Sequence, residues 1–189
     1  MSGNVLPDLS SSFGVKAMKL SVPVNERDHV IGPLSAPITV VNYGDYECPD
    51  CHRRHREVEK MFDQLVNSVR FVYRHFPLVN AHPRALRAAE AAEAAAAQGK
   101  FWEMHRHLYT RPDKLEDRHL RRYAREIGLE LDRFDREMAD GTYNEQILNN
   151  YHSSITYGIT GAPTTFINGE LYAMSGVELL STVKTMLVK

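Results

Sequence analysis

Residues 38–51 read ITVVNYGDYECPDC, an apolar run that leads to the only two cysteines of the chain. The β-branched residues favour a buried strand, and the glycine and aspartate after it end that strand. Cys48 and Cys51 stand three apart with Pro49 between them, and proline is favoured at the first position of a helix. The sequence therefore predicts a strand-to-helix junction with a dithiol in the first turn of the helix.

The position of the dithiol predicts a different role for each cysteine. The first turn of a helix carries unpaired N–H groups and the positive end of the macrodipole, and both stabilise a thiolate. Cys48 is therefore the expected nucleophile, and Cys51, one turn deeper, is the expected resolving thiol that attacks a mixed disulfide on Cys48. We expect the Asp50 carboxylate to raise the pKa of Cys48 and a protonated His52 to lower it. The residues alone leave the net direction open.

Three other interpretations of the cysteine pair compete with a redox dithiol. Both residues could be buried small hydrophobes. The run from Cys48 to His52 also satisfies the pattern for c-type haem attachment, which requires export. Cys48, Cys51, His52 and His55 could supply four zinc ligands, although a structural site usually takes its second ligand pair from farther along the chain. Our prediction for this chain is no cofactor and no metal.

Composition limits the partners that the chain is expected to have. The 23 basic and 24 acidic residues leave a net charge of −1, which gives no electrostatic argument for nucleic acid or an anionic membrane. Residues 1–20 contain no apolar segment of signal-peptide length, so we expect a cytoplasmic location, or a periplasmic one if a leader has been removed. Two cysteines cannot form a structural disulfide framework, and no pattern indicates an oligomeric state.

The remaining pattern divides the chain into an extension and one domain. Residues 1–24 are polar and are predicted to be weakly structured, with an edge strand near residues 19–24. Residues 25–189 are predicted to form a single domain, in which helices at about residues 81–157 interrupt the sheet. The predicted elements are the strand 37–43, the helix 49–67, the strand 69–76, helices at 83–98, 100–109, 116–127, 131–140 and 143–157, a hairpin at 164–173 and the helix 177–187.

Local signals support two of these elements in particular. The turn Asn168-Gly169 strongly favours a hairpin. The helix that begins at Pro49 places Val58 and Met61 at helical spacing, so these residues are predicted to be buried, and the charged run that includes Arg54 is predicted to face solvent. Strand, helix and strand in this order indicate a parallel βαβ unit.

Four segments in order carry a resemblance to a known family: YGDYECPDC at 43–51, RHFPL at 74–78, QGKFWEMH at 98–105 and GITGAPTTFING at 158–169. Together they resemble the DsbA-like branch of the thioredoxin superfamily, from about residue 36 to the end of the chain. The resemblance implies an α/β, thioredoxin-like fold with a helical insertion between an N-terminal βαβ unit and a C-terminal ββα unit. It also implies a protein disulfide oxidoreductase that exchanges with protein or small-molecule thiols and disulfides.

The resemblance further assigns two substrate-binding residues. Pro163 is expected to be a cis-proline that lies against the dithiol, since the cis form of an X–Pro bond costs only about 0.5–1 kcal/mol. The backbone of Ala162 is expected to pair with an extended substrate chain. The main alternative is a thioredoxin-fold binding or redox-sensing module that does not turn over.

One residue departs from the pattern of the family. Relatives usually carry a buried carboxylate six residues before the first cysteine, where it helps to move the proton of the resolving thiol, and this position is Asn42 here. An amide hydrogen-bonds but does not titrate. We therefore expect either that the proton of Cys51 passes to Asp45, Glu47 or water, or that the resolving step is slow.

Overall fold

The computed structural model describes residues 18–172 and 178–188 of the chain. Its sheet contains β1 (His29–Ile31), β2 (Ile38–Gly44), β3 (Val69–His75), β4 (Thr164–Ile167) and β5 (Glu170–Leu171) in the order β1-β3-β2-β4-β5. The pair β2–β3 is parallel and the other three pairs are antiparallel. The helices are α1 (Pro49–Leu65), α2 (Ala85–Ala96), α3 (Phe101–Thr110), α4 (Asp117–Glu126), α5 (Leu131–Asp140), α6 (Asn144–Thr156) and α7 (Leu179–Leu187).

The central strand β2 separates two apolar clusters and directs its residues to both. Because successive side chains of a strand point to opposite faces, Val40 packs with α1 and the helical insertion, whereas Val41 and Tyr43 pack on the other face with Phe166. Six of the seven residues of β2 are buried. The packing of β2 therefore fixes the position of its C-terminal end. The loop that carries the dithiol begins at this end.

Helix α1 is amphipathic and returns the chain to β3, which completes the predicted parallel unit. Val58 and Met61 are 5% and 0% exposed, as the spacing predicts. Arg54 is a correction, because it is only 3% exposed. Its guanidinium group pairs with Glu57 at 2.6 Å and lies over the ring of Tyr172, so its charge is compensated inside the fold.

Five helices, α2 to α6, lie between β3 and β4, as the helical insertion predicts. The alanine-rich α2 is buried on most of its surface, and Ala88, Ala91 and Ala92 are all 0% exposed. Small side chains allow neighbouring backbones to approach closely, which explains the alanine-rich sequence. The mixed α/β architecture with a helical insertion expected from the sequence is confirmed, while the domain boundaries stay a prediction.

The differences from the expected elements lie at the sheet edges. The three-residue strand β1 was not predicted, because three residues carry too little alternation to be recognised. The edge strand expected near residues 19–24 is only an isolated bridge between Lys19 and Glu170. Residues 1–17 of the predicted extension, the end of the hairpin at residue 173 and the start of the last helix at residue 177 lie outside the described residues.

Gly44 allows β2 to pass close to two tyrosines. A Cβ atom at this position would lie 2.7 Å from the hydroxyl oxygen of Tyr109 and 2.7 Å from Cε2 of Tyr73. These tyrosines are buried and their hydroxyl groups are hydrogen-bonded at 3.0 Å, so neither ring can move away freely. We expect Gly44→Ala to lower the free energy of unfolding by about 1–3 kcal/mol in urea denaturation.

Gly161→Ala is the matched control, because a Cβ atom there meets nothing within 4 Å. Equal urea midpoints for the two variants would contradict this account of the packing around Gly44.

Candidate active site

Cys48 is the N-cap residue of α1. Its backbone is extended, with φ −78° and ψ 121°, and Pro49 follows at the start of the helix as predicted. The Cys48 N–H donates to the carbonyl of Asp45 at 3.3 Å, and the Cys48 carbonyl accepts the first helical hydrogen bond from His52 at 3.1 Å. The sulfur of Cys48 therefore lies at the positive end of the helix, beside N–H groups that have no helical partner.

The two cysteines are free and have opposite pKa shifts. The Cys51 thiol donates to Cys48, and together with the N–H groups of Cys51 and Asp50 it lowers the pKa of Cys48 to about 6, against burial and the Asp45 carboxylate. Burial raises the pKa of Cys51, and its hydrogen bond to Cys48 raises it further. This arrangement gives a reactive thiolate beside a protonated second thiol, which is the division of roles that thiol-disulfide exchange needs.

The loop before β4 brings the backbone of Ala162 to the dithiol. The Ala162–Pro163 peptide bond is cis. The Cys48 thiol lies 3.5 Å from the Ala162 carbonyl oxygen, to which it donates. The structure therefore brings Cys48 and Ala162 together across 114 residues of sequence.

Asp45 anchors the loop between β2 and α1. Its carboxylate is fully buried and accepts hydrogen bonds from the N–H groups of Glu47 at 2.7 Å and Leu78 at 2.9 Å, and from Nδ1 of His82 at 2.7 Å. Its own N–H donates to the sulfur of Cys51 at 3.4 Å. A single residue therefore fixes the loop, contacts the resolving thiol and holds a histidine beside the site.

His82 is a site residue that the sequence analysis did not identify. Partial burial opposes protonation, but the Asp45 carboxylate raises the pKa of His82 and the nearby Cys48 adds to this effect. His82 lies 37 residues from Asp45 in sequence, in the loop before α2. A local sequence pattern does not predict a contact between residues so far apart in the chain, so the sequence analysis missed the pairing of His82 with Asp45.

His52 is buried and both of its ring nitrogens face backbone carbonyls. Nδ1 lies 2.7 Å from the carbonyl oxygen of Tyr109, and Nε2 lies 2.7 Å from that of Tyr46. Both ring nitrogens are therefore engaged with backbone oxygens, which argues against His52 as a ligand in the haem and zinc interpretations of the cysteine pair.

Of the other residues predicted to tune the dithiol, Pro49 begins the helix, and the side chains of Asn42 and Asp50 form described hydrogen bonds with other residues. Asn42 is 4% exposed, and its Oδ1 accepts from the Thr165 hydroxyl at 2.8 Å. Asp50 is exposed and pairs with Arg53 at 2.7 Å. The Asp45 carboxylate raises the pKa of Cys48, which acts against the thiolate. The roles of Asn42, Asp50 and His52 in redox tuning stay predictions.

Residues 24–184 match a family model described as Thioredoxin. The chain belongs to the thioredoxin family. Its structure resembles that of a thioredoxin-like oxidoreductase from Silicibacter pomeroyi, which is 28% identical, with a TM-score of 0.71 over 87% of this chain and 92% of that one. It also has the fold of the thiol-disulfide exchange protein alpha-DsbA2 from Wolbachia pipientis, which is 19% identical, with a TM-score of 0.71 over 86% and 87%. The expected DsbA-like thioredoxin fold is confirmed.

Several curated relatives of this chain are named as Na(+)/H(+) antiporters rather than as oxidoreductases. A protein of Salinispora tropica named Na(+)/H(+) antiporter NhaA 3 is 45% identical over 85% of this chain. A protein of Salinispora arenicola named Na(+)/H(+) antiporter NhaA 1 is 43% identical over 88% of this chain. The chain spans about a quarter of the length of these relatives. Within residues 18–172 and 178–188, no helix has the length and apolar character needed to cross a bilayer.

The lowered pKa of Cys48 predicts a pH profile for its alkylation. The thiolate is the reactive form, so we expect the rate of reaction with iodoacetamide to rise through about pH 6 and to level off by neutral pH. Cys51 has a raised pKa and stays protonated over this range. The measurement is the rate of mass increase of the reduced protein from pH 4 to 9, with Cys48→Ser as the control that removes the fast reaction. A midpoint near 8.5, the value of an ordinary cysteine, would contradict the assignment.

Proposed function

We propose that this chain is a thiol-disulfide oxidoreductase in which Cys48 is the nucleophile and Cys51 is the resolving thiol. The observation that carries the proposal is the pairing at the start of α1, where Cys48 has a pKa lowered to about 6 and Cys51 has a raised one. A structural cysteine needs no such asymmetry. Membership of the thioredoxin family supports the same reaction class.

In the reductive direction, the first step is attack of the Cys48 thiolate on one sulfur of a substrate disulfide. A bond forms between the Cys48 sulfur and that substrate sulfur, while the substrate S–S bond breaks and its second sulfur leaves as a thiolate. The N–H groups at the start of α1 hold the attacking anion. In this proposal the substrate approaches Cys48 from the side of the Ala162 carbonyl, 3.5 Å from the Cys48 sulfur.

In the second step, Cys51 resolves the mixed disulfide. Its thiol loses a proton, its sulfur attacks the Cys48 sulfur, and the substrate leaves as a second thiolate that takes up a proton. The substrate disulfide has then gained two electrons, and Cys48 and Cys51 have formed a disulfide. The N–H of Asp45, 3.4 Å from the Cys51 sulfur, stabilises the developing thiolate. The Asp45 carboxylate already accepts three hydrogen bonds, so its main role is to position this N–H and His82.

The substrates in this proposal are protein or small-molecule thiols and disulfides. An extended peptide that carries a disulfide would pair with the backbone of Ala162 beside Pro163, and its sulfur would then lie next to Cys48. The thiolate at Cys48 favours the reduced form, while the nearby Asp45 carboxylate acts against it. We therefore expect a redox potential between those of strong reductants and strong oxidants of this superfamily. The cytoplasmic location stays a prediction.

A thioredoxin-fold module that only binds a partner or senses redox state is the alternative. Such a module would use the same dithiol, but it would change state once for each oxidation. Turnover separates the two functions, because an enzyme processes many substrate disulfides when a reductant regenerates its dithiol.

The test uses the purified full chain with insulin as the disulfide substrate and dithiothreitol as the reductant. We expect many insulin disulfides to be reduced for each protein molecule, at a rate well above that of dithiothreitol alone. Cys48→Ser is expected to abolish the catalysed rate, because it removes the nucleophile. In a separate incubation with insulin and no dithiothreitol, the reduced Cys51→Ser variant is expected to accumulate a mixed disulfide with insulin on Cys48, detectable by mass, because the resolving thiol is absent.

Reduction of a single equivalent followed by no further reaction would support the sensing module and contradict the enzyme. A Cys51→Ser variant that turns over as fast as the unmodified protein would contradict the role of Cys51.

A further inference from the structure

A second cluster of chemically active side chains lies apart from the dithiol. Oε1 of Glu93 is 2.7 Å from Nε2 of His29 and 2.9 Å from Nε2 of His75. The three potential ligand atoms lie within 4.8 Å of one another. In the part of the chain that the structure describes, this is the group of His, Cys, Asp and Glu residues close enough to hold a metal ion.

The topology of the sheet brings these residues together. His29 of β1 is opposite Tyr73 of β3 in the antiparallel pair, so their side chains share one face. His75 lies two residues after Tyr73 and therefore points to the same face. Glu93 lies in the last turn of α2, and its carboxylate contacts His75 on that face. The ring of His29 is also stacked on Phe101 with the centroids 3.5 Å apart, which limits its rotation.

One ring nitrogen of His75 is unused among the described contacts. Its Nδ1 atom is buried and has no hydrogen-bond partner there, while Nε2 faces Glu93. The rings of Tyr46, Tyr73 and Phe101 pack edge-on against the imidazole. In a tetrahedral zinc site with bonds of about 2.0–2.1 Å, neighbouring ligand atoms are about 3.3 Å apart. The two separations from Glu93, 2.7 and 2.9 Å, need to open by about 0.5 Å, and the two histidine nitrogens lie within 4.8 Å of each other.

The cluster also opens onto free space. His29, His75 and Glu93 line an open cleft of about 980 Å³, whose walls also carry Asp28 and Arg74. A metal ion held by three side chains in the wall of this cleft would keep a coordination position for water or a small molecule. Two histidines and one carboxylate form the ligand set of catalytic zinc sites and of non-haem iron sites.

We propose that His29, His75 and Glu93 bind a divalent first-row transition-metal ion such as Zn²⁺, with an open coordination position facing the cleft. This site is separate from the dithiol and departs from the sequence-based expectation of no metal. The competing explanation is a metal-free hydrogen-bonded cluster that fastens β1 to α2.

The test is a metal titration of the full chain in a Cys48→Ser/Cys51→Ser background, which removes the thiols as competing ligands. The protein is stripped with a chelator and titrated with Co²⁺, whose visible absorption reports coordination, and Zn²⁺ is then added to displace it. We expect saturation near one equivalent and a rise in the thermal unfolding midpoint with Zn²⁺. Glu93→Gln is expected to weaken Zn²⁺ binding by more than about tenfold, since loss of a ligand costs at least as much as loss of a residue that hydrogen-bonds to a ligand.

Glu116→Gln is the matched control, because Glu116 lies 3.1 Å from His119 at the surface and its loss removes the same charge beside another histidine. Its Zn²⁺ affinity is expected to equal that of the background. If Glu93→Gln does not fold, the second variant is His29→Asn, because His29 lies on an edge strand and is more exposed than Glu93. It is also expected to weaken Zn²⁺ binding by more than about tenfold. Absence of saturable binding, or equal affinity for the background and the variant that removes a ligand, would overturn the metal site and support the hydrogen-bonded cluster.

Discussion

The attraction between the Cys48 sulfur and the N-terminus of α1 is the interaction on which the proposed chemistry depends. It requires the helix to begin at Cys48, and Pro49 at its first position allows this. It also requires α1 to be held in a fixed position against the sheet. Buried residues of β2, together with Val58 and Met61 of α1, pack in the core and hold the helix there, so core packing determines where the thiolate forms.

A layer of polar and aromatic side chains extends from this point across one face of the sheet. Asp45 joins the dithiol loop to His82, while Tyr46 joins it to His105 through a hydrogen bond of 3.0 Å. The ring of Tyr46 also lies 5.8 Å from that of His75, a member of the proposed metal cluster. The dithiol and the cluster therefore belong to one continuous buried layer, although each has its own ligands and can be tested without the other.

The parts of the fold that local sequence signals describe were predictable, and the long-range polar contacts were not. The start of α1 at Pro49 and the Asn168-Gly169 hairpin follow from capping and turn chemistry within a few residues. The pairing of His82 with Asp45, and that of His29 with Glu93 across 64 residues, depend on which strands and helices become neighbours. Hydrophobic periodicity does not encode such contacts. Arg54 was placed in solvent for the same reason, because its compensating partners are known only once the helix is packed.

The central claim is that Cys48 and Cys51 act as one two-electron redox pair. The most direct measurement is equilibration of the purified protein with glutathione buffers of graded potential, followed by thiol alkylation and mass analysis of the fraction that holds an internal disulfide. The account predicts a single two-electron transition with a midpoint between about −270 mV, the value of thioredoxin, and about −120 mV, the value of DsbA. Failure to form a Cys48–Cys51 disulfide at any potential would contradict the account.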